Sequence, residues 1–217
     1  MRYFLPLVFA ALPLLAPAQD KPAKFEPLFD GKSLNGWVVK GEPGKDPPQG
    51  EWLAKDGVLS AKAGNSWLST AKTYGDFVLR LEWRVPENGN SGVFLRVPVL
   101  KAGEQPHVKG IEIQVLDDQG PQYQGKLQPW QHAGSIYGAV AAENSGYKGK
   151  GEWNSFEITC RGGSIQVVMN GRKVASGEVE KIETLKTRPL RGYIGLQNHG
   201  TPVQFRNIEI QVLDSAP

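Results

Sequence analysis

The sequence has a single cysteine, Cys160, so no disulfide can form within the chain. This thiol ends the alternating run 156–160, in which Phe156 and Ile158 share its apolar side. We therefore expect a small buried hydrophobe and not a nucleophile. The lack of disulfides does not exclude export, because a domain of about 200 residues buries a core large enough to fold without them.

Long hydrophobic runs are also scarce, since only residues 4–15 form one, and it is too short to span a bilayer. The positively charged start and the small residues Ala16-Pro17-Ala18 are typical of a secretory signal peptide. We expect a signal peptide at 1–18, a single domain at 19–217, and a secreted protein in the periplasm or outside the cell. No cysteine follows the run, so we expect no lipid anchor and no membrane partner after cleavage.

Clusters of basic residues and of metal ligands are missing as well. The net charge is +3, and the most basic stretch, 186–191, is interrupted by Thr187 and Pro189, so we expect no nucleic-acid partner. The three histidines lack the close spacing of zinc ligands. Asp117 and Asp118 offer carboxylates suited to calcium, but no calcium-loop pattern surrounds them. We predict no cofactor, with calcium left open, and the oligomeric state is left open too.

No long apolar pattern of period 3.6 is present, whereas 26 glycines and 16 prolines punctuate short alternating runs. This pattern is typical of an all-β sandwich or barrel. Asn170-Gly171 predicts a two-residue hairpin turn. The predicted strands are 76–85, 91–97, 110–116, 152–160, 164–169, 193–197 and 204–212. Residues 98–109 and 118–151 predict no strand, and a loop as long as the second is typical of a functional or covering element.

Successive side chains of a strand point to opposite faces, so each predicted strand has an apolar row and a polar row. The polar rows contain Arg80, Glu82, Arg96, Glu112, Gln114, Gln197 and His199. Arginines, carboxylates and amides, mixed with aromatic rings such as Phe94 and Tyr193, suit the hydroxyls and the C–H faces of sugars. The same rows would also arise from cross-strand ion pairs on an exposed sheet.

An ordered set of motifs resembles the 3-keto-disaccharide hydrolase family over essentially the whole of residues 19–217. The motifs are FEPLFDGKSLNGW at 25–37, EWR at 82–84, NSGVFLR at 90–96, GIEIQVLD at 110–117, GSIYG at 134–138, GEWN at 151–154, NG at 170–171, GLQNHG at 195–200 and FRNI at 205–208. The resemblance implies a concanavalin-like jelly-roll sandwich of two antiparallel sheets with a polar concave face.

The resemblance also implies an enzyme that cleaves glycosides whose sugar ring carries a ketone at C3. The ketone acidifies the C2 proton, so a base can remove it and the C1 substituent can leave by elimination. Water addition to the resulting enone then gives net hydrolysis. Such a site needs a base near C2, donors to the keto oxygen and an acid near the leaving oxygen.

Six residues of this chain occupy positions that match the family's motifs, and the resemblance therefore implies that they line the pocket. They are Glu82, Arg96, Glu112, Gln114, Gln197 and His199. By chemical type, Glu112 or Glu82 is the expected base and His199 the base or the acid. Arg96 and Arg80 are expected to bind the developing oxyanion. These roles are hypotheses that the resemblance suggests.

Roles are also expected for the two glutamines, and three further residues lie in or near the expected site. Gln114 and Gln197 are expected to orient ring hydroxyls, and Tyr137 to stack or to donate from the loop. Trp130 is either an exposed ring over the pocket or a buried ring that fixes the loop. His107 is expected to be exposed. The alternative function is a non-catalytic carbohydrate-binding module on the same jelly roll, and a third is an interaction domain with a solvated polar face.

Overall fold

The computed structural model describes residues 24–41, 51–62 and 64–213. Their strands are β1 (Glu26–Pro27), β2 (Trp37–Gly41), β3 (Trp52–Lys55), β4 (Val58–Ala61), β5 (Asn65–Tyr74), β6 (Phe77–Arg84), β7 (Asn90–Val97), β8 (Ile111–Leu116), β9 (Asn154–Arg161), β10 (Ser164–Met169), β11 (Arg172–Glu178), β12 (Gly192–His199) and β13 (Val203–Val212). A short helix, α1, spans Pro106–Lys109, and 3₁₀ turns span Pro129–Gln131 and Val179–Lys181. Among these residues no helix has the length and apolar character needed to cross a bilayer.

The strands form two antiparallel sheets. The eight-stranded sheet has the order β11-β10-β9-β6-β13-β4-β3, with β1 also paired to β13. The five-stranded sheet has the order β2-β5-β12-β7-β8. All seven predicted strands are present within two residues of their expected ends, and Asn170 and Gly171, both with positive φ, form the predicted turn between β10 and β11. The predicted signal peptide at 1–18 lies outside the described residues.

The two sheets enclose one hydrophobic core. Leu81, Trp83 and Phe156 of the large sheet belong to the same buried cluster as Ile113 and Leu196 of the small sheet. Cys160 lies in this cluster, and burial raises the pKa of its thiol to about 12. The thiol is therefore a core hydrophobe, as the alternation of its strand predicts.

Strand β7 contains a bulge that reverses its alternation. Phe94 pairs with Gly195 and Val97 pairs with Tyr193, so two residues of β7 lie opposite one residue of β12. Arg96 is one of the two, and its φ of 53° is the local distortion that the extra residue requires. As a result Val97 packs beside Phe94 on the outer face, and Arg96 turns to the opposite side.

The prediction that Arg96 belongs to the pocket is wrong for this reason. Its side chain is fully buried. Its guanidinium donates to the carbonyl oxygens of Gly75 and Gly162, at 3.0 and 2.7 Å, and pairs with Asp76 at 3.1 Å. Asp76 also accepts a hydrogen bond from the backbone N–H of Gly162. Arg96 therefore connects the turn before β6 to the turn after β9 and has no part in the pocket.

Candidate functional site

A pocket of about 120 Å³ lies on the outer face of the five-stranded sheet. It is lined by Asn90, His107, Glu112, Gln114, Leu116, Tyr123, Leu127, Gln131, Tyr137, Gln197 and His199. Five predicted site residues thus come together, and they are Glu112, Gln114, Tyr137, Gln197 and His199. We call this cavity the amide pocket, because three glutamine side chains contribute to its wall.

Alternation along two strands explains the meeting of these side chains. In β8, Ile111, Ile113 and Val115 pack into the core, so Glu112 and Gln114 face outwards. In β12, Ile194 and Leu196 are core residues, so Gln197 and His199 face outwards. Strand β7 separates β8 from β12, and it presents the small residue Gly92 opposite Gln114. The two polar rows therefore face each other across a depression.

Glu112 is the only carboxylate among the described residues that line this pocket. Glu112 is 5% exposed, and burial is the only cause that shifts its pKa, with no contribution from a hydrogen bond in the described part of the chain. Burial raises the pKa of Glu112 from 4.5 to about 8. The charged form is costly in this environment because nothing replaces the lost water. The group is therefore neutral at low pH and becomes an unusually strong carboxylate base as the pH rises.

The loop after β8 supplies one wall by pairing with that strand. Gly134 N–H donates to Gln114 O at 2.9 Å, and Gln114 N–H donates to Ser135 O at 3.0 Å. Tyr137 N–H donates to Glu112 O at 2.9 Å. Residues 134–137 thus occupy the place of a further edge strand. This pairing covers the exposed edge of β8 and sets Tyr137 beside Glu112.

Two rings hold Tyr137 edge-on. The ring centroids of Trp130 and Tyr137 are 5.0 Å apart with an interplanar angle of 87°, and those of His107 and Tyr137 are 6.2 Å apart at 86°. Trp130 is half-buried and does not line the pocket, so it fixes the loop rather than offering a platform for sugar. The ring of Tyr137 is therefore supported from two sides.

His107 lies in the pocket wall, and the expectation that it is exposed is wrong. Helix α1 packs against β7 and β8 and carries the ring over the sheet. Its pKa is lowered, mainly by burial and further by the electrostatic influence of the neighbouring Arg188 and His199. His107 is thus biased towards its neutral form, which can donate and accept one hydrogen bond each.

Glu82 does not lie in the amide pocket, and its predicted place there is wrong. Strand β6 belongs to the eight-stranded sheet, and Glu82 is on that sheet's outer face. Its carboxylate accepts from Arg206 at 2.6 Å and from Asn207 at 3.1 Å. Burial alone would raise the pKa of Glu82, but these hydrogen bonds and the charge of Arg206 outweigh it and lower the pKa. Glu82 is thus a paired surface carboxylate.

Arg80 lies on the same outer face and is likewise separate from the amide pocket. It pairs with Glu157 at 2.8 Å and with Glu209 at 3.7 Å, and both partners lie on neighbouring strands. These contacts are the cross-strand ion pairs that the sequence left open as the alternative. The polar row of β6 therefore serves the sheet and not the site.

The two aspartates considered for calcium support the long loop. Asp117 accepts hydrogen bonds from Asn88 N–H at 2.9 Å and from the Tyr147 hydroxyl at 3.1 Å. Asp118 accepts from Ala133 N–H at 3.0 Å. In the described ranges no group of three or more His, Cys, Asp or Glu residues is arranged to hold a metal ion. Both carboxylates therefore have a role in fixing the turns.

The chain is similar to a known protein family and to two bacterial proteins of the carbohydrate-cleaving type by name. The profile of the family described as 3-keto-alpha-glucoside-1,2-lyase-like domain matches residues 24–211. The 3-keto-disaccharide hydrolase of Bacteroides thetaiotaomicron is 27% identical over an alignment 228 positions long. The alignment covers 86% of this chain and 78% of that protein. The crystal structure of a candidate glycosyl hydrolase from Parabacteroides distasonis is 30% identical with a TM-score of 0.74, covering 88% of this chain and 100% of that chain.

A more distant structure agrees on the fold alone. The β-glucanase of Bacillus licheniformis has a TM-score of 0.53 at 12% identity and covers 90% of this chain and 100% of that chain. The predicted jelly-roll sandwich of two antiparallel sheets is confirmed. The family profile spans most of the sequence and both sheets, and the chain belongs to the 3-keto-alpha-glucoside-1,2-lyase-like family.

Proposed function

We propose that this protein cleaves the glycosidic bond of 3-keto sugars in the amide pocket, with Glu112 as the base. The family and the relatives support a carbohydrate substrate and an enzyme of the hydrolase type. The observation that carries the proposal is the buried carboxyl of Glu112, which is the one carboxylate among the described residues of the wall; the other polar side chains there are amides, histidines and tyrosines. A buried carboxyl of raised pKa in a polar cleft is characteristic of catalytic sites.

The reaction proceeds as an elimination followed by hydration. The carboxylate of Glu112 takes the C2 proton, and the electron pair of the C2–H bond moves to the C3 ketone as an enolate. When the ketone re-forms, a C1=C2 double bond forms and the C1–O bond breaks. The leaving oxygen takes a proton from an acid. Water then adds its hydroxyl to C1 and its proton to C2, which gives the free 3-keto sugar. The proton on Glu112 passes through solvent to the acid that protonated the leaving oxygen, so both groups return to their starting forms.

The remaining polar residues of the pocket are assigned by position. Gln114 and Tyr137 flank Glu112 and act as donors to the keto oxygen and the neighbouring hydroxyls. His199 is exposed at the rim, where a leaving group departs, and acts as the acid. Gln197 is half-buried on the same strand and orients ring hydroxyls. Because Glu112 is the only carboxylate that the described residues contribute to the pocket, a mechanism with two carboxylates has no support here.

Turnover of 3-keto glycosides in D₂O, with product analysis by mass spectrometry, tests this proposal. Elimination and hydration must place deuterium at C2 of the released sugar, whereas direct displacement at C1 leaves the C2 hydrogen in place. We expect Glu112→Gln to lower kcat about 10²–10⁴-fold, the usual contribution of a positioned base, while binding is retained. Glu82→Gln is the matched control and keeps full activity, because Glu82 lies on the other sheet.

Two results would contradict the proposal. Product without deuterium at C2 would exclude the elimination route. Binding of unmodified glycans without turnover of any keto sugar would favour the carbohydrate-binding module instead.

We also propose that the protein acts outside the cytoplasm, in the periplasm or beyond it. This rests on the apolar run at 4–15 and the small residues that follow it. N-terminal sequencing of protein from a fractionated native host is expected to start near Gln19 or Asp20. An intact Met1 on protein from the cytoplasmic fraction would overturn this.

A further inference from the structure

A second pocket, of about 190 Å³, adjoins the amide pocket on the same sheet face. The two cavities share three lining residues, His107, Gln197 and His199. They form one cleft with two compartments, and the shared residues mark the boundary. The proposed acid, His199, therefore stands between them.

The second compartment has an aromatic floor. Trp67 and Phe94 line it, and their ring centroids are 5.9 Å apart with an interplanar angle of 81°. A glycine makes room for this pair, since a Cβ on Gly195 would lie 2.5 Å from the Trp67 ring and 3.2 Å from the Phe94 ring. We call this compartment the aromatic pocket.

The walls of the aromatic pocket are polar, and the two shared histidines are the only titratable groups among its described lining residues. Asn65 and Gln105 contribute amides to it. Of the described residues that line it, none has a carboxylate, an ammonium or a guanidinium group. An aromatic floor with amides at its margin suits an uncharged ring that presents a flat C–H or aromatic face and bears hydroxyls.

Strand register connects the two compartments directly. Glu112 pairs across the strands with Phe94, and Gln197 pairs with Trp67. Residues paired in this way have Cβ atoms about 4.5–5.5 Å apart, so the aromatic floor begins one strand away from the base. A glycosidic oxygen at the boundary would have the keto sugar on one side and the leaving group on the other.

We propose that the aromatic pocket binds the leaving group, and that the enzyme selects glycosides whose leaving group is an uncharged ring with a flat face. This inference rests on the proposed function and adds the substrate class. The keto sugar occupies the amide pocket over Glu112. The departing ring packs on Trp67 and Phe94 and bonds to Asn65 and Gln105, while His199 protonates its oxygen.

Three 3-keto glucosides with methyl, phenyl and glucosyl leaving groups test the inference. Because their intrinsic reactivities differ, the quantity to compare is kcat/KM of a variant relative to wild type for each substrate. We expect Trp67→Leu to lower this ratio about tenfold for the phenyl and glucosyl substrates, the effect of losing an aromatic contact, and less than twofold for the methyl substrate. Trp153→Leu is the matched control, because this ring stacks on Arg84 and Arg206 of the other sheet, and it leaves all three ratios near one.

A second variant tests the polar contacts separately from the aromatic ones. It is needed because Trp67 is only 6% exposed, so that Trp67→Leu could impair folding. Asn65 is exposed, so Asn65→Ala should fold normally. It is expected to lower the ratio for the glucosyl substrate only, because the phenyl ring has no hydroxyl to bond. Equal losses for all three substrates in both variants would overturn the leaving-group pocket and leave the proposed function standing. If the wild-type protein turns over none of them, the proposed function itself fails.

Discussion

The carboxyl group of Glu112 lies directly over the backbone of Gly92 on the neighbouring strand. A Cβ atom on Gly92 would overlap Oε1 of Glu112 and would lie 2.9 Å from its Cδ. The backbone of Gly92 is that of an ordinary strand, so glycine is needed here for space and not for its conformational freedom. Because position 92 has no side chain, the carboxyl of Glu112 can pack flat against the sheet and become buried.

Gly92→Ala is expected to displace the carboxyl of Glu112 and to lower kcat about 10²-fold, because a shift of about 1 Å in a reacting group has effects of this size. KM should change much less, since the amides remain. Steady-state kinetics with a 3-keto glycoside measures both. Gly163→Ala is the matched control, since its Cβ would find no atom closer than 3.7 Å. Unchanged kcat in Gly92→Ala would show that the position of this carboxyl is not critical.

Alternation along single strands predicted much of the site. It placed Glu112 and Gln114 on one face of β8, and Gln197 and His199 on one face of β12, because neither stretch contains a bulge. The prediction failed for Arg96, because the extra residue in β7 exchanges the two faces of the strand after Phe94, and no local sequence pattern indicates this bulge. Alternation assigns a side chain to a face of its strand. The sheet to which the strand belongs depends on partners far away in the chain.

The dependence on distant strand partners explains why the sequence placed Glu82 in the wrong site. Its strand, β6, pairs with β13 and β9, more than 60 residues away along the chain, whereas β7, which follows at once, joins the other sheet. The loop residues of the pocket, such as Tyr123 and Gln131, lay beyond prediction for a related reason. Turns have no period, and tertiary contacts place these residues: the Tyr123 hydroxyl donates to Asn88 O, and Ala133 N–H donates to Asp118. Asn90 precedes Gly92 by two residues and would follow from alternation if the strand had been extended by one residue.

Arg96→Met is expected to lower stability and to leave the chemistry intact. The change removes a buried ion pair and two hydrogen bonds to carbonyl groups, and losses of this kind cost about 3–5 kcal/mol. Denaturant unfolding measures the effect on stability. At a temperature where both proteins are folded, kcat/KM should match wild type within about twofold. A specific loss of kcat at normal stability would restore Arg96 to the site.

The contact between Trp130 and Tyr137 is expected to support substrate binding through the tyrosine. Trp130→Leu should raise KM about threefold to tenfold, because an edge-on aromatic pair contributes about 0.5–1.5 kcal/mol. If Trp130 acts only by holding Tyr137, it should have little further effect in a Tyr137→Ala background. A double-mutant cycle on KM tests this coupling. Additive effects would mean that Trp130 contacts the substrate itself.

The activity should rise with pH if Glu112 is the base. Its pKa of about 8 in the free enzyme means that kcat/KM increases about tenfold per pH unit below that value and levels off above it. A phenyl leaving group is the suitable probe, since phenolate departs without help from an acid. A rate that falls as the pH rises through 8 would make Glu112 the acid instead. Gly92→Ala, which displaces the carboxyl towards solvent, should move the rise to lower pH.

The same burial should make the stability of the fold depend on pH. The carboxyl of Glu112 has a pKa of about 8 when folded and an ordinary value near 4.5 when unfolded. Between these values the folded state binds more protons, so the free energy of unfolding falls as the pH rises. The slope from this one group is about 1.4 kcal/mol per pH unit. Glu112→Gln has no proton to lose, so its stability relative to wild type should increase steadily from about pH 5 to pH 8. Urea unfolding of both proteins across this range measures the difference, in which the effects of all other titrating groups cancel. A difference that does not change with pH would mean that the carboxyl is already ionised and hydrated in the folded protein, and the case for a buried base would fail with it.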